Sequence, residues 1–197
     1  MKLSKNTIAI LKNFATINQS VLMEPGNVLR TISPSKAIAA IATIEEEIPN
    51  AAAIYELPRF LSVVGALEDP DVDFQDNAFV ISSGKNRVNY FYADPSIIIA
   101  PKKKTVDFPK ADVEANLDVD TYERVMKMAS AMQLKDIAFC GEDGKFILRA
   151  LDASEGVKED TFDIEIGETD EEFSLAIKAQ NFKFITQNYK VELSRKG

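Results

Sequence analysis

Histidine is absent from this chain and cysteine occurs once, at Cys140. Without imidazole there is no usual general base, no commonest metal ligand and no partner for a serine or cysteine nucleophile. Any catalysis would have to rest on carboxylates or lysines. One cysteine cannot close an internal disulfide, and its place after Ile137, Ala138 and Phe139 suits a small buried hydrophobe. The eight glycines form neither the GxGxxG nor the GxxxxGK[ST] pattern, so no phosphate-cradling loop is present. Apolar runs such as Ala37 to Ile44 fall far short of the roughly 18 to 20 residues that cross a bilayer. The opening MKLSKNT leads into an amphipathic pattern and not into the apolar segment and cleavage site of a signal peptide. These absences predict a soluble, intracellular protein that is not an enzyme and carries no cofactor.

What is present is a repeat. Asn6 to Arg30 recurs in degraded form from Asp120 to Arg149, with Thr7/Thr121, Ala15/Ala129, Thr16/Ser130 and Gln19/Gln133 in step. Further on, residues 52–74 are answered by residues 175–197. The first half then continues through two more strand-like runs, 78–83 and 87–93, which the second half lacks. The second half therefore reads as shortened by two strands at its C-terminus. With 197 residues, 46% of them hydrophobic, the chain can fill two small cores. The expected division is a domain over 1–93, a connector over 94–112 and a second domain over 113–197.

Helical spacing is clear from Ser4 to Asn18, where Ile8, Leu11 and Ala15 join Ile10, Phe14 and Ile17 in a broad apolar stripe behind Lys5 and Lys12. Ser4 is the expected N-cap. Pro25-Gly26-Asn27 predicts a tight turn, so that the helix feeds a hairpin. Residues 36–45 predict a strand and 57–67 a second, short helix, with Pro58 in its first turn. Alternation from Asp69 to Tyr92 predicts three antiparallel strands. The segment 94–110, with three prolines and Lys102-Lys103-Lys104, fits neither period and predicts an extended connector. The second half repeats the plan: a helix over 118–132, a hairpin turning at Glu142-Asp143-Gly144, strands around 161–166 and 173–177, a short helix near 180–186 and a strand at 189–195. The fold class is α+β, with two helices and an antiparallel sheet in each half.

The acidic cluster Asp69, Asp71, Asp73 and Asp76 begins like a calcium loop and then fails the pattern. The sixth position is Phe74 where glycine is needed, and the twelfth is Val80 where a bidentate glutamate is needed. No metal site is expected there, and the runs Glu45 to Glu47 and Glu168 to Glu172 read as wet faces. A metal enzyme built on carboxylates is the weakest reading. The net charge of -8 opposes a protein held to nucleic acid by its overall field. Yet cations fall on the predicted helices: Lys5 and Lys12 on one face, Arg124 and Lys127 on its counterpart, Arg59 and Lys183 on the two short helices. A basic helical face in both repeats of an acidic chain implies a directed field.

The segments MKLSKNTIAILKNFATIN, ADPSIIIAP before the lysine run, and AIKAQNFKFITQNYKVEL resemble the DNA polymerase sliding clamps of T-even-like bacteriophages, and the resemblance runs over essentially the whole chain. It implies the DNA clamp fold: a ring-shaped homotrimer of two-domain subunits, helices lining the hole and sheets outside. It implies a processivity factor in the cytoplasm of an infected bacterial host, which encircles duplex DNA without reading sequence, tethers the replicative DNA polymerase, is placed by an ATP-dependent clamp loader and also serves late-transcription proteins. Lys5, Lys12, Lys127 and Lys183 match basic positions of the family, whereas Arg59 and Arg124 rest on helix placement. Ring closure in the family maps to Arg87, Val88, Tyr90 and Tyr92 against Thr161, Phe162, Ile164 and Ile166 of a neighbour. The partner-binding pocket beside the connector maps to Ile97, Ile98 and Ile99. The competing reading is an acidic interaction scaffold that never encircles DNA.

Overall fold

A computed structural model describes residues 1–103, 105, 108–153 and 160–195. The chain divides into two compact units, Met1–Val106 and Asp107–Gly197.

The first unit opens with α1 (Lys5–Ile17), capped as its sequence requires: the Ser4 hydroxyl accepts from the Thr7 amide at 3.1 Å. Its buried stripe, Ile10, Leu11, Phe14 and Ile17, faces β2 (Gly26–Ile32) and β3 (Ala39–Ile48), which follow the short β1 (Val21–Met23). The expected hairpin around Pro25 does not form. β1 pairs with a three-residue strand not foreseen from sequence, β4 (Ala52–Ile54), and β2 pairs with β3. A two-residue hairpin turn needs positive φ at its central residues, and the proline ring holds φ negative. The short helix follows as α2 (Leu57–Gly65), with Pro58 in its first turn. β5 (Asp71–Phe74), β6 (Ala78–Ser83) and β7 (Asn86–Phe91) then form the expected antiparallel meander. Phe60 of α2 and Phe79 of β6 are fully buried, their ring centroids 4.8 Å apart, and they form the centre of this core. Met1 lies beside β5, donating to the Val72 carbonyl and accepting from its amide.

The second unit starts with a strand absent from the helix-first plan, β8 (Val113–Leu117), before α3 (Val119–Met132). β9 (Asp136–Glu142) and β10 (Lys145–Leu151) form the predicted hairpin. Its two turn residues, Asp143 and Gly144, have φ of 51° and 79°, as a type I′ turn demands. β11 (Phe162–Glu168) and β12 (Phe173–Lys178) complete one continuous sheet in the order β11-β10-β9-β12, and β13 (Tyr189–Leu193) pairs with β8. No second α-helix occurs among the described residues here. Residues 180–186 hold only a 3-10 turn, Ala179–Asn181. Phe182, just after it, nonetheless reaches the core, stacked on Tyr122 and packed near Phe139.

Candidate nucleic-acid face, strand edges and connector groove

Lys5 and Lys12 both stand on the exposed side of α1, together with Asn6, Ala9 and Thr16. No carboxylate shares that face. Arg124 and Lys127 are likewise exposed on α3, but Asp120 and Glu123 are exposed on the same helix. The α3 surface is therefore mixed, with Arg124 and Lys127 exposed among acids. Arg59 is on α2 as expected. Its guanidinium, however, lies 3.2 Å from Glu56 and 6.0 Å from the centre of the Tyr90 ring. Lys183 is not on a helix, because the chain leaves the 3-10 turn at Phe182, and the residue is half-buried.

Electrostatics also organise the start of α1. The Ser4 amide and the Thr7 hydroxyl both donate to Glu46 of β3. Burial alone would raise the Glu46 pKa, but these hydrogen bonds outweigh it and hold the carboxyl below its ordinary range. A carboxylate at a helix N-terminus also meets the positive end of the helix dipole. In α3 the same task falls to the cap itself: Asp118 accepts from the Thr121 amide and hydroxyl at 2.8 and 3.0 Å, which lowers its pKa.

β7 is one edge of the sheet β5-β6-β7, and β11 is one edge of the sheet β11-β10-β9-β12. These are the strands to which ring closure maps. Their side chains alternate. Val88, Tyr90 and Tyr92 are half-buried in or next to β7, and Phe162, Ile164 and Ile166 are half-buried in β11. Tyr90 and Tyr92 turn their rings inward, Tyr90 edge-on to Phe60 at 5.4 Å and Tyr92 edge-on to Phe79 at 4.7 Å. Their part in an interface would fall to the backbone. The outward aromatic of β7 is Phe91, 67% exposed, a residue passed over in the sequence reading although period-two alternation places it opposite in sense to Tyr90. Thr161 is exposed just before β11, and Arg87 is exposed near the start of β7.

The three adjacent isoleucines of the connector divide their work. Ile98 is 9% exposed and anchors the segment, while Ile97 and Ile99 are 53% and 45% exposed. Buried Asn18 ties the connector down, donating from Nδ2 to the carbonyls of Ile32 and Ile99 at 2.9 and 3.0 Å. On one side of this strap Ile98 and Ile99 line a groove of about 550 Å³ with Ile32, Ala39 and Pro101. Lys36, Lys102 and Lys103 stand around it. Lys36 and the β2 and β3 contributors were missed from sequence, since only the fold brings them beside the connector, to which Lys102 and Lys103 already belong. Ile97 and Ile99 also flank a second hollow of about 430 Å³ by the end of α1.

Among the described residues no group of three or more Cys, Asp or Glu side chains is arranged to hold a metal ion, and no helix is long and apolar enough to cross a membrane.

Comparison with known proteins agrees with this geometry. Residues 2–100 match the family model for the DNA polymerase processivity factor, and residues 114–197 match that for the gp45 sliding clamp, C terminal. The chain is 34% identical to the sliding clamp of Vibrio phage KVP40, over 100% of this chain and 92% of that protein. It is 29% identical to the sliding clamp of Enterobacteria phage T4, over 100% of this chain and 89% of that protein. A chain in the solved structure of the C-terminal region of FEN-1 bound to A. fulgidus PCNA superposes with a TM-score of 0.70 at 12% identity, covering 98% of this chain and 86% of that one. PCNA from Entamoeba histolytica gives 0.65 at 15% identity, covering 95% and 84%. The fold is thus the DNA clamp fold, and with both halves matched by family models and a relative above 30% identity over its full length, this chain belongs to the sliding-clamp family of T4-like phages, the DNA polymerase processivity factors.

Proposed function

We propose that this chain acts as a closed homotrimeric ring on duplex DNA, hydrolysing nothing itself and holding the replicative polymerase at its template in the cytoplasm of the infected bacterium. The observation that carries the proposal is the α1 face, where Lys5 and Lys12 stand exposed in an acidic chain on a helix that carries no acid of its own. Cations that meet phosphates without reading base edges position a ring and let it slide. Affinity from such contacts falls steeply with salt, whereas a ring is retained by topology. Weak contacts are then sufficient.

Arg124 and Lys127 add a second, weaker contact surface, diluted by Asp120 and Glu123. Lys183 joins it from the segment after the 3-10 turn. Arg59 is the least suited of the six to meet phosphate, because Glu56 and Tyr90 already hold its guanidinium. The subunits close by pairing β7 of one copy with β11 of the next, which also covers two edges that would otherwise invite aggregation. The groove at Ile98 and Ile99, with an apolar floor and cationic rim, receives a short apolar segment of the polymerase, of the ATP-driven loader or of a late-transcription protein in turn.

The test is retention. Clamp loaded on nicked circular DNA by loader and ATP should survive a high-salt wash and be lost when the circle is cut. Equal retention on circular and linear DNA would overturn the ring and favour an acidic scaffold that only recruits partners.

A further inference from the structure

We infer that ring closure is selected by charge along the paired strands: Arg87 on β7 of one copy enters the acidic row formed by Asp163 and Glu165 on β11 of the next. The inference rests on the β7–β11 closure proposed above and adds what sets its partner choice and register.

The argument begins with parity. On β7 the exposed positions are Arg87, Asn89 and Phe91, and on β11 they include Asp163 and Glu165. The half-buried positions are Val88 and Tyr90 on one strand and Phe162, Ile164 and Ile166 on the other. Because side chains alternate with period two, a slip of one residue would carry an apolar set to the outer face. Every register that continues the inner face of one sheet into the inner face of the other therefore sets Arg87 in the same outer row as Asp163 and Glu165, and those that set it across from position 161, 163, 165 or 167 bring it directly opposite one of these acids or onto its diagonal. Both positions are within reach of a long side chain.

The two edges are also charged differently from their own sheets. Across β6, Arg87 faces Ser82, Asn89 faces Val80 and Phe91 faces Ala78. The nearest acid in that row is Asp71, one strand further on beyond Ser82. Arg87 and its neighbour Lys85 are exposed, and neither has a partner among the described residues. The β11 edge is the reverse. Asp163 is held by Arg149 at 2.8 Å, Glu165 by Lys145 at 3.0 Å, and Arg149 also serves Glu142 at 2.9 Å. With Glu168, four carboxylates stand there against two cations. One edge has cation to spare and the other has anion to spare.

This arrangement excludes the wrong assemblies as well as favouring the right one. Two β7 edges brought together would offer Arg87 no carboxylate in the row, and two β11 edges would set one acid-rich row against its copy, where like charges oppose pairing. Only head-to-tail contact matches, and that is the heterologous contact from which rings are built. Charge here chooses the partner edge, and the outer-row Phe91 adds apolar contact beside it.

The experiment is sedimentation equilibrium of the full chain across a concentration series at low and high salt. The proteins compared are wild type, Arg87→Glu, the milder Arg87→Gln, the double Arg87→Glu/Glu165→Lys, and Lys110→Glu as an equal change of charge away from both strands in sequence. Arg87→Glu should raise the concentration for half-assembly by about tenfold or more at low salt. Arg87→Gln should raise it less, the double variant should return to within about threefold of wild type, and the differences should shrink near 1 M salt, where the Debye length is about 3 Å. If Arg87→Glu behaves like Lys110→Glu, or if the double variant is worse than Arg87→Glu alone, the charge pairing is wrong and the ring still stands. A wild-type chain that stays monomeric throughout would overturn the ring reading itself, and this inference with it.

Discussion

The two units start from one module and solve the same local problem in different ways. Ser4 and Asp118 hold corresponding N-cap positions, at the offset that pairs Thr7 with Thr121. In the second unit the cap brings its own carboxylate. In the first, a neutral hydroxyl caps the helix and the carboxylate comes from Glu46 on a distant strand. That choice ties α1 to β3 and leaves the exposed face of α1 free of acid, whereas α3 keeps Asp120 in its first turn and Glu123 beside Arg124. The sheets differ too. Asp143-Gly144 lets β9 and β10 pair over their full length, while Pro25 breaks the equivalent ladder and leaves β1 and β4 as three-residue strands. The two copies thus share a plan of helix and antiparallel strands but differ in strand pairing and in where their charges stand.

The comparison can be broken first at its cores. Phe60→Ala empties a fully buried site on α2 and should cost about 3–5 kcal/mol, unfolding the first unit in a thermal melt. Phe182→Ala should do the corresponding damage in the second unit, although no α-helix carries that residue. Equal and negligible losses in both would show that neither ring is central to its core.

Next comes the helical face. Lys5→Glu with Lys12→Glu should lower clamp-dependent polymerase extension by about tenfold, equivalent to ~1.4 kcal/mol. The matching pair Arg124→Glu with Lys127→Glu should cost less, because that face is already mixed. Product lengths in a loader-dependent primer-extension assay check the order, and a larger loss from the α3 pair would reverse it.

The caps give a smaller effect. Ser4→Ala should cost about 1 kcal/mol. The Glu46 pKa is lowered in the folded state, so its stabilising contribution is complete above the unfolded value of about 4.3 and is lost as pH falls through the folded one. Glu46→Gln should therefore lower the melting temperature at pH 7, and the gap from wild type should narrow as the pH falls below the unfolded value. A gap of the same size above and below that value would show that ionisation of Glu46 contributes nothing. Smallest is Gln133→Gly. The residue ends α3 with φ of 58°, and glycine there should gain about 0.5–1 kcal/mol by removing the strain of a side chain in left-handed backbone. Urea denaturation measures the sign.

The repeat, both long helices, the β5–β7 meander and the β9–β10 hairpin were legible from sequence because each depends on contacts or turn residues close by in the chain. β4 and β8 were not, since β4 has only three residues and β8 precedes the helix with which the sequence repeat begins. The predicted helix at 180–186 failed for a different reason. Phe182 and Ile185, three apart, have the spacing of a helical face, but Phe182 and Phe184 instead pack on Tyr122 and on each other in irregular chain. Among the candidate sites, exposure of Lys5, Lys12, Arg124 and Lys127 followed from period alone. The pairing of Arg59 with Glu56 and Tyr90, and the splitting of Ile97, Ile98 and Ile99 into one anchor and two exposed side chains, did not.

By itself the sequence determined the class: a doubled α+β chain, without the groups for common catalysis, whose likeness to phage clamps was readable end to end. Periodicity and turn chemistry are local, and they survive in a linear string. Tertiary structure alone decided which strand edges stay open, which carboxylate holds which cation, and that Lys36, Lys102 and Lys103 gather around one groove. Those outcomes depend on backbone pairing between residues far apart in the chain, and charge and hydrogen bonding act only across the few ångströms that such pairing creates.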